Sequence, residues 1–171
     1  MASQTMTTDG GPRPGDKAEI VAVCLSPAKG MAKTPQARVE VQAGHGFVGD
    51  AHAGDWHRQV SLLSVSSIEK MKAIGLDVSE GSFAENLTVD GLDVYRLPVG
   101  TEVRIGPDVR LAITQIGKEC HAGCAIFKAV GKCVMPKEGV FGRILEGGEV
   151  RPGDVLEVLS VPGAGERGRT R

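Results

Sequence analysis

Apolar and polar residues alternate over short stretches along most of the chain, and glycine-rich breaks separate those stretches. "ARVEVQA" from Ala37 sets Val39 and Val41 against Arg38 and Glu40, the period of a strand buried on one face. "AEIVAVCLS" from Ala18 is a continuous apolar run of strand length, which predicts a strand buried on both faces. "EVRIGPDVRLAIT" predicts a hairpin: Gly106, Pro107 and Asp108 turn the chain, and Val109, Leu111 and Ile113 share one face beyond the turn. "VFGRILEGGEVRPGDVLEVLS" predicts two more strand segments, punctuated by Gly147-Gly148 and Pro152-Gly153.

Helical spacing is scarce. Ser66 and Glu69 have the spacing of a capping box, and Ile68, Met71 and Ile74 follow as an apolar face that Gly75 ends. "CAIFKAV" from Cys124 to Val130 predicts a second short helix. Many short strands with two or three small helices point to a mainly β fold, a barrel or closed sandwich. Residues 1–16 and 161–171 are polar and rich in Gly, Pro or Arg, so they read as disordered tails around one domain at 17–160.

Composition narrows the function. A chain of 171 residues with 41% hydrophobic residues is long enough to bury a core without metal or disulfide staples. A formal net charge of -1 and 4% aromatic residues argue against a nucleic-acid binder held by bulk charge or by stacking. No signal-like or membrane-spanning apolar run is present, so a cytoplasmic protein with no membrane partner is expected. In that reducing setting the four cysteines are expected to be reactive, metal-binding or buried instead of paired.

Three stretches carry residues suited to chemistry. In "GHGFVGDAHAGDWHRQVS", glycines surround His45, His52 and His57 with Asp50, Asp55 and Arg58 beside them. Glycine lets backbone amides approach an anion, and histidine donates, accepts or ligates; the plainer reading is a solvated surface loop. In "SFAENLTVDG", Glu85 is a candidate acid or base and Asn86 a partner for a heterocycle's edge, while a turn cap is the plainer role. In "MPKEGVFGRI", Arg143 is placed either to clamp a phosphate or to pair with Glu138.

"TQIGKECHAGCAIFKAVGKC" holds Cys120, Cys124 and Cys133, with His121 beside the first. The plainest reading is an inert exposed thiol at Cys120 and a small core residue at Cys124, and three functional readings stay open beside it on the residues alone. Cys120, near Lys118 and within reach of Lys132 and Arg143 if the chain folds back, would be a thiolate stabilised by positive charge. The three cysteines and His121 would instead hold structural zinc, although their spacing is not the usual tight pair. In the third reading Cys120 oxidises and Cys124 resolves it, as in a thiol redox sensor.

Taken in order, "GFVGDAHAG", "HRQVSLLS", "FAENLTVDGLDVYRLPVGT", "TQIGKECHAGC", "CVMPKEGVFGRIL" and "GGEVRPGD" resemble the MOSC family, named for the C-terminal domain of molybdenum cofactor sulfurases, in its small stand-alone bacterial form. The resemblance spans roughly residues 18–158. It implies a β-barrel-like fold and places the family's characteristic cysteine at Cys120, as a persulfide sulfur carrier or a thiolate ligand of molybdenum. The implied cofactor is the molybdenum cofactor (molybdopterin), with Lys118, His52, Asp50, Asn86, Lys132 and Arg143 as candidate binding residues. No desulfurase domain with covalent pyridoxal phosphate fits in the chain. A separate cysteine desulfurase is therefore the expected sulfur donor, and a molybdoenzyme or cofactor-biosynthesis enzyme the expected acceptor.

Overall fold

The structure is a computed structural model and describes residues 11–118 and 134–163. Seven strands close into a barrel in the order β1 (Lys17–Leu25), β11 (Val155–Ser160), β7 (Glu102–Ile105), β8 (Val109–Ile116), β9 (Val140–Glu146), β5 (Val60–Ser64) and β6 (Leu87–Asp90), which returns to β1. All neighbours are antiparallel except β5 and β6. A parallel pair needs a long crossover, and helix α1 (Val65–Ala73) with the loop after it supplies one. Closure leaves the ring no free edge, which suits a chain built of short strands.

The period-2 pattern explains the interior. Val109, Leu111 and Ile113 face inward from β8, as the alternation predicts, and meet Ile20, Leu62, Leu87, Val103 and Leu156, all essentially buried. Each such side chain contributes about 1.5–3 kcal/mol by leaving water. The 102–116 hairpin forms as expected, with Ile105 opposite Val109. In β1 only the second half is buried continuously, because Lys17 and Glu19 are exposed in the first half.

Two local expectations change. The C-terminal stretch makes three strands, not two, since Gly148–Val150 is a separate strand β10. It leaves the barrel to pair with β3 (Val39–Gln42), which also pairs with β4 (Gly46–Phe47) in a small second sheet. At α1 the N-cap is Ser64 and no capping box forms. The Ser64 hydroxyl instead donates to the Leu92 carbonyl and accepts from the Val94 amide, while Ser66 bonds Asp93. Ile68 and Met71 face inward as expected, but Ile74 is exposed.

Helix α1 packs outside the ring. With Leu63, Phe83, Phe141 and Met135 of the short helix α2 (Met135–Glu138), its Ile68 and Met71 form a second apolar cluster. Remaining short elements are β2 (Thr34–Pro35) against the end of β1, and a 3₁₀ turn at Val94–Arg96. Among the described residues no helix is long and apolar enough to cross a membrane.

Candidate functional site

Side chains on a strand alternate between faces, so Ser61 and Phe141 lie outside the barrel while Leu62 and Val140 fill it. Against this outer face lies a narrow pocket lined by His52, Arg58, Ser61, Ala84, Asn86, Lys118, Met135 and Phe141. Three of the sequence's candidates, His52, Asn86 and Lys118, thus meet at one place, with Arg58 joining them.

The wall under His52 is a buried polar network. Lys33, 3% exposed, places its ammonium 2.8 Å from Asp50 Oδ1, 3.1 Å from Ser26 Oγ and 3.0 Å from His52 Nδ1. Asp50 also accepts from the backbone amides of Ser26 and His52, each at 3.0 Å. Burial alone would raise the Asp50 carboxyl, but the Lys33 hydrogen bond and these two amides outweigh it and hold the group below its ordinary range. His52 is pushed down to about 4, first by burial and then by the charges of Lys33, Lys29 and Lys118, which outweigh Asp50. The imidazole is therefore neutral near pH 7.

Placement of Lys33 depends on Gly81. The Lys33 amide donates to the Gly81 carbonyl at 2.8 Å, and a Cβ on Gly81, which sits at φ +89, would fall 2.1 Å from the Lys33 carbonyl. Glu85 anchors the same loop from inside, accepting from the Gly81 and Phe83 amides and from the Thr88 hydroxyl. Burial raises its carboxyl despite those bonds. This is the turn-capping role, and it leaves Glu85 fully buried.

Positive charge enters the pocket from two sides. The Arg58 guanidinium lies over the Trp56 ring at 4.7 Å and over Phe141 at 5.5 Å, and its buried Nε has no hydrogen-bond partner among the described residues. Trp56 is itself stacked near-parallel to His52 at 6.5 Å, has Lys29 5.0 Å from its ring, and donates from Nε1 to the His52 carbonyl at 2.8 Å. Lys118 follows β8 after Gly117, whose φ of +78 and close approach to the Pro136 carbonyl leave no room for a side chain. Its own amide donates to Pro136 at 3.2 Å. The chain thus leaves the described part at Lys118 and re-enters at Val134 beside the same pocket, which Met135 also lines.

Asn86 lines the pocket, but most of its amide is committed to the barrel. Oδ1 accepts from the Ser61 amide at 2.9 Å and hydroxyl at 3.2 Å, and Nδ2 donates to the Cys24 carbonyl at 3.0 Å. The second Nδ2 hydrogen has no partner among the described residues. Arg143 does not pair with Glu138. It donates to the Trp56 carbonyl at 3.1 Å and Asp55 Oδ1 at 2.8 Å, bracing the histidine loop, while Glu138 takes Lys70 and Ser67.

The solvated-loop reading fits His57, which is exposed and bonded to Gln115, but not half-buried His52. Cys120, His121, Cys124, Cys133 and Lys132 lie outside the described residues, as does the expected helix at 124–130. Cys24, the one described cysteine, is buried and raised to about 12 by burial and by Glu85 and Glu80. Among the described residues no group of three His, Cys, Asp or Glu side chains gathers to hold a metal. Lys33 escapes sequence reasoning because nothing near "MAKTP" marks that lysine as buried. Arg58 stands in the histidine loop that the sequence singles out, but nothing in the sequence marks it as a binding residue.

Comparison with known proteins gives one family. The model of the MOSC domain matches residues 49–157. YuaD from Bacillus subtilis superposes with a TM-score of 0.69 at 17% identity, over 83% of this chain and 95% of that one. YiiM from Geobacillus stearothermophilus gives a TM-score of 0.65 at 21% identity, over 84% and 75% of the two chains. YiiM from Escherichia coli gives 0.54 at 18% identity, over 87% and 71%. No curated protein matches the chain significantly by sequence.

Proposed function

The chain belongs to the MOSC domain family, which is linked to molybdenum-cofactor-related sulfur or cofactor binding, and on that premise we propose that it is a sulfur-carrier or cofactor-binding module working through Cys120. The observation that carries this reading is the cationic pocket beside Lys118: Arg58, whose Nε has no partner among the described residues, Lys118, and a neutral His52. The nearest carboxylate in the network, Asp50, is buried and consumed by Lys33 and two amides. Cys120 is two residues beyond Lys118, a chain span of at most about 7 Å.

Positive charge and neutral donors favour thiolate over thiol and hold an anionic sulfur or phosphate group. In the sulfur-carrying step, the Cys120 thiolate attacks the terminal sulfur of a donor persulfide on a separate cysteine desulfurase. The donor's S–S bond breaks, the donor cysteine leaves as thiolate, and Cys120 gains a persulfide whose terminal sulfur passes to an acceptor enzyme.

The residues also fit the anionic end of the molybdenum cofactor. Arg58 and Lys118 would hold its phosphate, and the second Nδ2 hydrogen of Asn86 would meet the pterin edge. When bound, the cofactor would supply a metal centre that the Cys120 thiolate ligates. Lys132, like Cys120, enters this reading from the family resemblance, and Arg143 enters as the brace of the loop bearing His52. The reading is tested by purifying the protein from its own host and measuring molybdenum, pterin fluorescence and sulfane sulfur together. Any of the three that depends on Cys120 supports it, and a preparation with none of them, or with stoichiometric zinc instead, contradicts it.

A further inference from the structure

We propose that Lys33 is a positioning residue that fixes the His52 ring as its Nε2–H tautomer, making it a neutral hydrogen-bond donor for an anion held in the pocket. An ammonium has three hydrogens and no acceptor. Around Lys33 Nζ stand three acceptors, Asp50 Oδ1 at 2.8 Å, His52 Nδ1 at 3.0 Å and Ser26 Oγ at 3.1 Å. The Ser26 hydroxyl spends its own hydrogen on the Ala28 carbonyl, so its oxygen is left to accept. The ammonium is thereby satisfied only if Nδ1 of His52 carries no proton.

A competing arrangement would put a proton on Nδ1 and aim it at Asp50. The geometry disfavours it, because Asp50 Oδ2 lies 3.9 Å from Nδ1, beyond hydrogen-bond distance, and accepts the His52 backbone amide instead. Among the described residues the charges that weigh most on the ring are Lys33, Asp50, Lys29 and Lys118, three cations to one anion, which also disfavours an imidazolium. With Nδ1 occupied, the ring's single N–H is at Nε2, on a side chain that lines the pocket with Arg58 and Lys118. The donor role rests on the proposed anion pocket; the tautomer does not.

The test is ¹⁵N-histidine NMR of the full chain. The wild type is expected to show His52 as the Nε2–H tautomer at neutral pH, with no titration down to about pH 5. In Lys33→Met the Nδ1 signal is expected to lose its hydrogen-bond shift and the ring to titrate nearer the ordinary histidine range. A wild-type Nδ1–H tautomer, or an unchanged His52 signal in folded Lys33→Met, overturns the proposal. Where Lys33→Met does not fold, the wild-type tautomer decides.

The donor role is read with inorganic phosphate as the probe. His52→Gln, whose amide can place an N–H near the position of Nε2, is expected to keep phosphate affinity, and His52→Leu to lose about tenfold. Equal affinities of the two variants overturn the donor role. An Nε2–H tautomer in a wild type that binds no phosphate removes the anion-pocket reading while leaving the lock in place.

Discussion

Lys33 and Asp50 form an ion pair at 2.8 Å with no exposed surface on either side chain. Such a pair offsets its own desolvation only while complete, so removing one partner strands the other charge. Asp50→Leu is expected to cost about 3–5 kcal/mol. The double change Lys33→Met with Asp50→Leu is expected to cost less than the sum of the single changes, as urea denaturation of all three variants would show.

His52 makes stability fall on mild acidification. Its folded value of about 4 lies below the ordinary 6.5, so the unfolded chain binds the extra proton first. The His52 contribution is fully present above about pH 6.5 and is lost as pH falls toward 4, at no more than about 1.4 kcal/mol per pH unit. Asp50 acts in the same direction but lower, its stabilisation being present above its ordinary value and lost as pH falls through its depressed one. Glu85, raised by burial, acts oppositely and favours the fold as it takes up a proton. The difference between wild type and His52→Gln isolates the histidine: urea midpoints at pH 7 and pH 5 should separate more for the wild type than for the variant.

Asn86 ties β5, β6 and β1 together through one amide. Asn86→Ala leaves a buried Ser61 amide and the Cys24 carbonyl without those partners, at about 1–3 kcal/mol for each group stranded. A thermal melt should show a loss of several degrees or more, with the barrel's circular dichroism intact below the transition.

Arg58 should behave in the opposite way. Its guanidinium is held by two aromatic faces and no carboxylate among the described residues, so Arg58→Met is expected to cost about 1–2 kcal/mol of stability. Phosphate affinity is expected to drop about tenfold or more, because the charge facing the anion is gone. Isothermal titration of wild type and variant measures the second effect, and equal affinities would remove Arg58 from the pocket's function.

The strands were legible because their information is local. Alternation placed Val39, Val41, Val109, Leu111 and Ile113 inward, and Gly106 to Asp108 turned the hairpin. Pairings set by distant partners were not legible. Nothing near Gly148–Val150 says that it joins β3 instead of continuing the barrel, and nothing near Ser66 says that Asp93 will take its hydroxyl. The site divides in the same way. The histidine loop advertised itself through its glycines, whereas Lys33 carries the polarity of a surface lysine and is buried only because Asp50, 17 residues later, comes to meet it. Arg143 sat near enough in sequence to suggest Glu138, yet the strand carries it to Asp55.

The central claim is that Cys120 carries the chemistry, and sulfur loading tests it most directly. The full chain is incubated with a cysteine desulfurase and cysteine, its intact mass is measured, and the adduct is mapped by peptide. Cys24, raised to about 12 and buried, serves as the internal control that should stay unmodified. The account predicts a gain of one sulfur atom, mapped to Cys120, abolished in Cys120→Ser and diminished in Arg58→Met. A chain that gains no sulfur and binds no molybdopterin, or one whose sulfur survives Cys120→Ser, would contradict it.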